Sequence, residues 1–374
     1  MIRESLKKLS KNFALGGLLI AGTFVLSACS ISTNSSDSGI DSSVFLSTDG
    51  GSNWREAVNM ATPGDPKTIR NVNVNMMTFD PQDNLAVYLA TKADGLYYTY
   101  NVVLNGWIKV DGLPNTLVND VEVDPVNKCI IYTAISNRLY KSLDCNRTWD
   151  QVYYDNNLEV SVKDIAIDHY NPNNIYIGTS RGEVIKSIDA GATWRTIHRL
   201  DNGVSQLILS PIDSRLAFVA TDKNQIFSFT VSSSTNANDP ISLERSFAIA
   251  NFTDLNPVLK DYDLGKTFRD FVVGGDGRMF IATNQALLRS PDNGITWQKL
   301  SIIQPEKDAV INSLAVDPQN SDNIFYVTNT TFFRSTDGGV TSATKKLPTS
   351  RAGSALLVDY RNPNNLYLGT VKLK

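Results

Sequence analysis

Along most of the chain, apolar and polar residues alternate over short stretches, and Asp, Asn, Gly and Ser interrupt them. A period of two is the pattern of half-buried strands. The stretches recur as one unit. A first apolar strand ends in Asp and a second ends in Ala-Thr or Gly-Thr. After a turn, a third runs into Ser-x-Asp-x-Gly-x-Thr-Trp and a fourth follows. The first strand ends at Asp80, Asp124, Asp168, Ser210, Gly274, Asp317 and Asp359, with gaps of 44, 44, 42, 64, 43 and 42 residues, so there are seven units. A four-stranded unit that cannot bury both faces alone must stack on its neighbours around an axis. The pattern therefore predicts an all-β fold, a seven-bladed β-propeller of four-stranded antiparallel blades over residues 44–374. The long gap predicts roughly twenty inserted residues, placed at about 232–268, with 251–268 expected as a loop beside the channel mouth. The last unit stops near Lys372, after its second strand, and the missing half stands at 44–54. The N-terminal strands are expected to close the ring in the last blade, which removes free edges.

Clear copies of the turn motif start at Ser47, Ser142, Ser187 and Ser290, and a fifth starts at Ser335 with Ser342 where Trp is usual. Their acidic residues are Asp49, Asp144, Asp189, Asp292 and Asp337; Trp54, Trp149, Trp194 and Trp297 follow, and Trp107 keeps that position in the first unit. Asp and Ser side chains are expected to bond nearby backbone N–H groups and hold the hairpin between strands three and four. Gly supplies a positive φ and Trp packs between blades. The motif resembles the BNR/Asp-box repeats of sialidases, sortilin-type receptor ectodomains, xyloglucan hydrolases and the lumenal propellers that assist photosystem II assembly. Length, blade number and the N-terminus are most similar to the last group. The resemblance implies the fold, and several functions share that fold.

The N-terminus reads as a targeting signal. Arg3, Lys7, Lys8 and Lys11 precede an apolar stretch at 13–25 that is short for a membrane span. It ends in Leu26-Ser27-Ala28-Cys29, which resembles a bacterial lipobox. Residues 1–28 are expected to be a lipoprotein signal peptide, Cys29 the lipidation site, and 29–43 a flexible tether. The expected address is extracytoplasmic, anchored in a bacterial membrane through that lipid. The tether lacks Asp after Cys29, which in Gram-negative lipoproteins implies outer-membrane sorting.

Removing 1–28 takes Lys+Arg from 35 to 31 and Asp+Glu from 38 to 37, so the mature net charge is −6. That is a poor surface for nucleic acid. In an antiparallel blade, the 1–2 and 3–4 turns share one face, while the 2–3 turns and blade links share the other. The second face is left for a partner. It would carry Arg70, Lys92, Arg138, Arg181, Arg199 and Lys223, with Lys67, His198 and Lys372 nearby. These form a candidate mouth for an acidic peptide or a carboxylated glycan; the alternative is an ordinary solvated rim.

No Arg-Ile-Pro segment precedes the first motif, as it does in sialidases, and the two histidines, His169 and His198, do not make a multi-His metal site. Asp94, Glu183 and Asp222 are the candidate carboxylates for glycoside hydrolysis. The reading is a monomeric, non-catalytic binding or assembly scaffold for an unidentified protein or glycan, with no cofactor and no metal. The alternatives are a sialidase-like or xyloglucanase-like hydrolase, or a photosystem II assembly-type factor in a photosynthetic source. Finally, Cys129 and Cys145 lie equidistant from a turn at Asn137. Antiparallel pairing there brings Cα atoms to about 4.5–5.5 Å, within disulfide reach; two buried thiols are the alternative.

Overall fold

The computed structural model describes residues 39–231, 247–265, 267–301 and 310–373. The expected signal segment, Cys29 and Lys374 lie outside the described residues. Seven four-stranded antiparallel sheets follow one another in chain order. Blade 1 spans 74–109, blade 2 118–154, blade 3 162–199, blade 4 204–254, blade 5 268–299 and blade 6 313–346. Blade 7 joins Ala352–Val358 and Leu366–Val371 to the N-terminal strands Val44–Ser47 and Arg55–Glu56. The closing seam pairs Val44 with Gly369 and Ser47 with Leu366. The first strand of each blade stands at the axis and the fourth at the rim.

The seven apolar clusters are the seven blade junctions, so the core is a ring of interfaces. Each tryptophan packs against the preceding blade. Trp54 meets Phe332 edge-on at 5.4 Å, and Trp107 is fully buried with its Nε1–H donated to the Ala57 carbonyl at 2.7 Å.

The Ser-x-Asp turns repeat one set of bonds. In the third blade Ser187 donates its hydroxyl to Asp189 (2.8 Å) and accepts the Gly191 N–H (2.8 Å). Asp189 accepts the Thr193 N–H (2.8 Å) and hydroxyl (2.6 Å). Two successive residues adopt positive φ in every copy, for example Ala190 at 55° and Gly191 at 89°. The second must be small where a neighbour closes in: a Cβ on Gly51 would stand 2.2 Å from the Phe332 ring.

Before three of the turn serines, a basic residue reaches the turn of the next blade. Lys141 donates to the Ala190 carbonyl at 2.8 Å, Arg289 to Gly338 at 2.9 Å and Arg334 to Gly50 at 3.4 Å. These are contacts from one blade to the next blade's turn. Each satisfies a carbonyl that the turn leaves open.

Three expectations are corrected. First, residues 251–254 belong to the fourth strand of blade 4, Ile249–Asp254. Phe252 in this strand stacks on Phe227 at 5.3 Å, although its polar neighbours make the segment look like a loop. The expected insertion at about 232–268 is thus interrupted by this strand; 232–246 lie outside the described residues, and a link follows over 255–267. That link holds one helical turn, Asn256–Leu259, on the opposite face. Residues 263–265, which look like the start of a degenerate Asp box, lie near the end of this link, and Phe268 opens the first strand of blade 5. Second, the tether is shorter than 29–43. Ser42 and Ser43 have no exposed surface; the Ser42 carbonyl accepts the Thr370 hydroxyl at 2.6 Å, and Ser43 donates to the Ile69 carbonyl at 2.8 Å. Third, Cys129 and Cys145 lie beyond the strand ends, because the strands stop at Ile131 and Ser142. The two cysteines are disulfide-bonded across adjacent turns of the Ser-x-Asp face, with Cα atoms 3.9 Å apart.

Candidate functional site: the two ends of the axial channel

The cations expected at the mouth are largely occupied within the molecule. Arg181 bridges Asp155 (3.0 Å) and Glu183 (2.7 Å), and Arg199 meets the other oxygen of Glu183 at 3.0 Å. Arg70 pairs with Glu56 at 2.9 Å, and Lys372 with Asp41 at 3.4 Å. Arg138 and Lys223 are exposed and carry no ion pair among the described residues. Lys92 and Lys67 are exposed and anchor their backbones to Asn73 and Met60. His198 stacks on Phe252 at 4.1 Å, on the outer strands rather than at the channel, and burial pulls its pKa down.

The candidate carboxylates do not form a pair. Asp94, Glu183 and Asp222 sit in the 2–3 turns of three different blades, and no contact joins any two of them among the described residues. Glu183 is 3% exposed, locked between two arginines and the Thr179 hydroxyl. It is a buried counter-ion in that arrangement.

Arg351 was not singled out from sequence. It is 2% exposed and donates to the carbonyls of Arg70 (2.8 Å) and Val72 (2.6 Å) and to the Asn73 side chain (2.7 Å). It fastens blade 7 to the link that enters blade 1.

Inside the channel, one polar side chain per junction catches the innermost strand of the next blade. Asp120 accepts the Ile165 N–H (2.7 Å) and Asp164 the Leu207 N–H (2.6 Å). Gln206 accepts from Phe271 (2.9 Å), Asp270 from Leu314 (2.9 Å) and Ser313 from Leu356 (3.1 Å). Ser354 donates to Val74 O (2.9 Å) and Asn75 to Val118 O (2.9 Å), which completes the circle. All these residues stand at or beside a β-bulge or strand start, where an irregular ladder frees an N–H to point sideways.

Two residues further along the inner strands of blades 2–6, and three further in blades 1 and 7, lies a second ring. It holds Thr78, Ala166, Ile208, Val272, Ala315, Leu357 and a single charged member, Glu122. Five of its members, Thr78, Glu122, Val272, Ala315 and Leu357, wall a cavity of about 360 Å³ that opens on the Ser-x-Asp face between Pro81, Pro125, His169, Pro318 and Tyr360. A second cavity of about 210 Å³ continues inward past Asp120, Asp164 and Gln206, sharing Glu122, Ile167 and His169 with the first. No Lys or Arg lines either cavity among the described residues. Asp120 is buried, while Glu122, Asp164 and Asp270 are half-buried; desolvation pushes Asp120 up to about 6 and the other three above the usual carboxylate range. Burial pulls His169 down.

Six exposed large apolar side chains stand on turns of the same face, while others, such as Leu158, lie in blade links on the opposite one. Val126, Tyr170 and Ile212 stand on 1–2 turns, and Leu143, Ile295 and Val340 on 3–4 turns, each between 55% and 72% exposed. The turns do structural work with their Ser and Asp residues while presenting apolar tips to solvent.

No protein-family model matches the chain, and no curated protein matches its sequence. Solved structures do resemble its fold. The GH74 enzyme of Niastella koreensis aligns over 84% of this chain and 53% of its own, with TM-score 0.62 and 16% identity. The GH74 xyloglucanase of Xanthomonas campestris aligns over 85% and 52%, with TM-score 0.60 and 16% identity. The chain thus spans about half the length of these enzymes. YCF48 bound to D1 peptide aligns over 84% of this chain and 100% of its own, with TM-score 0.58 and 15% identity. The likeness is one of fold.

Proposed function

We propose that this propeller is a non-catalytic binding scaffold that receives a protein partner at the axial cavity on its Ser-x-Asp face. The observation that carries this reading is the coincidence on one face of an apolar, open cavity and a rim of exposed apolar side chains. Concave apolar sites with a few polar groups are where ligands bind, and exposed apolar patches mark contact surfaces. The opposite face supports it less, since four of its basic residues already have acidic partners. A peptide partner is in keeping with the similar propeller solved with the D1 peptide. The scaffold is held outside the cytoplasm by lipid on Cys29. Ile40 pairs with Thr349 in the link between blades 6 and 7, on the face away from the cavity.

The test is affinity capture from membranes with correctly folded variants. Leu357→Arg, which plugs the cavity, is expected to abolish retention of the partner, while reversal of Arg138 and Lys223 to Glu leaves it. The converse pattern would return the site to the opposite face. Turnover of xyloglucan or sialoside oligosaccharides would replace the reading with a hydrolase. Cys29→Ser is expected to move the protein from the membrane to the soluble fraction; membrane retention of that variant overturns the anchor.

A further inference from the structure

The three axial aspartates are accounted for by the N–H groups they accept. Glu122 is not. It makes no hydrogen bond or ion pair among the described residues, it stands in an otherwise uncharged ring, and it borders both cavities. Its equivalents in the other blades are Thr or apolar residues, so no structural role of the repeat asks for a carboxylate there. Glu122 is half-buried; partial burial without a partner costs a carboxyl part of its hydration, and the neighbouring Asp120 adds repulsion between like charges. A cation entering the cavity would reverse both effects. Among the described residues, no three acidic, His or Cys groups converge closely enough to hold a metal ion. The wall between the opening and Glu122 is apolar, formed by Val272, Leu314, Val316 and Leu357. A ligand that satisfies both features carries an ammonium group on an unbranched aliphatic stem.

Resting on the axial-cavity reading above, we infer that the cavity accepts a lysine side chain of the partner protein, its stem against the apolar wall and its ammonium on Glu122. A lysine side chain is long enough to reach inward while the polypeptide bearing it rests on the apolar rim, and Lys readily buries its stem in this way. The rim argues for a polypeptide over a free amine, because its exposed side chains extend well beyond the opening.

Isothermal titration of the intact mature propeller with three probes tests this: 1-pentylamine, 1-pentanol, and the acetylated N-methylamide of lysine. Pentylamine is expected to bind at least about tenfold more tightly than pentanol, as a charge-assisted bond in an enclosed site provides. The lysine derivative is expected to bind like pentylamine. Glu122→Gln should erase the preference for amine over alcohol while leaving pentanol binding unchanged. If pentanol matches pentylamine on the unmodified protein, the ammonium inference fails and the apolar cavity stands. If pentylamine binds but the lysine derivative does not, the polypeptide source is wrong. If no probe binds, the cavity reading fails with it. The comparison among probes needs no variant, so misfolding of Glu122→Gln cannot shield the inference.

Discussion

Ser290 donates its hydroxyl to Asp292, accepts the Gly294 N–H at 2.8 Å and has no exposed surface. Ser290→Ala leaves that N–H unpaired inside the turn, and thermal unfolding should report a loss of about 1–2 kcal/mol. The turn aspartates also set an acid limit. Asp49, Asp144 and Asp337 are held at about 2, chiefly by the Asn53 backbone and by the Thr148 and Thr341 hydroxyls. A carboxylate depressed in the folded state stabilises fully above its unfolded value of 3.8, and that stability is lost as pH falls toward about 2. The axial acids have the opposite sign. The native state keeps its proton on Asp120 up to about 6, so stability declines as pH rises from about 4 through 6. Melting temperature across pH 2–8 should therefore fall on both sides of a maximum near pH 4, and Asp120→Asn should flatten the upper limb. An unchanged upper limb in that variant contradicts the account. The turn chemistry was legible from sequence because every partner lies within four residues. Glu122 was not, because its significance depends on the ring formed by six other blades.

At the scale of elements, the blades were legible and their joints were not. Period-two alternation and the recurring turn suffice to mark strands, while the link between neighbouring blades depends on contacts more than forty residues apart. Some signal for the axial clasp was present: the repeated inner strands begin, in register, with Asp120, Asp164, Gln206, Asp270 and Ser313, polar residues at the head of apolar runs. A basic residue precedes four of the five turn serines, at Lys141, Lys186, Arg289 and Arg334. Blade 4 was misread because its fourth strand alternates Phe252 with polar residues and lies mostly exposed. The cystine in blade 2 closes a separation of 16 residues where Asn146 takes a positive φ without being glycine. Its removal by Cys129→Ser with Cys145→Ser should cost about 3 kcal/mol, measured against the parent under non-reducing conditions. Equal stability of the two would show that the bond is not a staple.

At the scale of the molecule, the ring closes within one blade, and the proposed partner site lies at one end of the axis. The N-terminal strands, Arg351 and the buried Ser42 and Ser43 weld blade 7 to blade 1. Deleting residues 39–56 should leave the strand Leu366–Val371 as an open edge, and the variant is expected to aggregate or unfold non-cooperatively. The face expected to work, on grounds of loop freedom and basic residues, turned out to spend much of its charge internally, since ion pairs such as Arg181 with Asp155 and Glu183 join positions that sequence order separates. The Ser-x-Asp face instead carries the open cavity and the apolar rim. Hydrogen–deuterium exchange of the propeller with and without its captured partner tests the central claim most directly. Binding at the axial cavity predicts new protection around the 1–2 turns at 80–83, 124–130, 168–174, 317–323 and 359–365, with none at the 2–3 turns. Protection confined to 92–95, 136–138, 180–183 and 222–225 would contradict it.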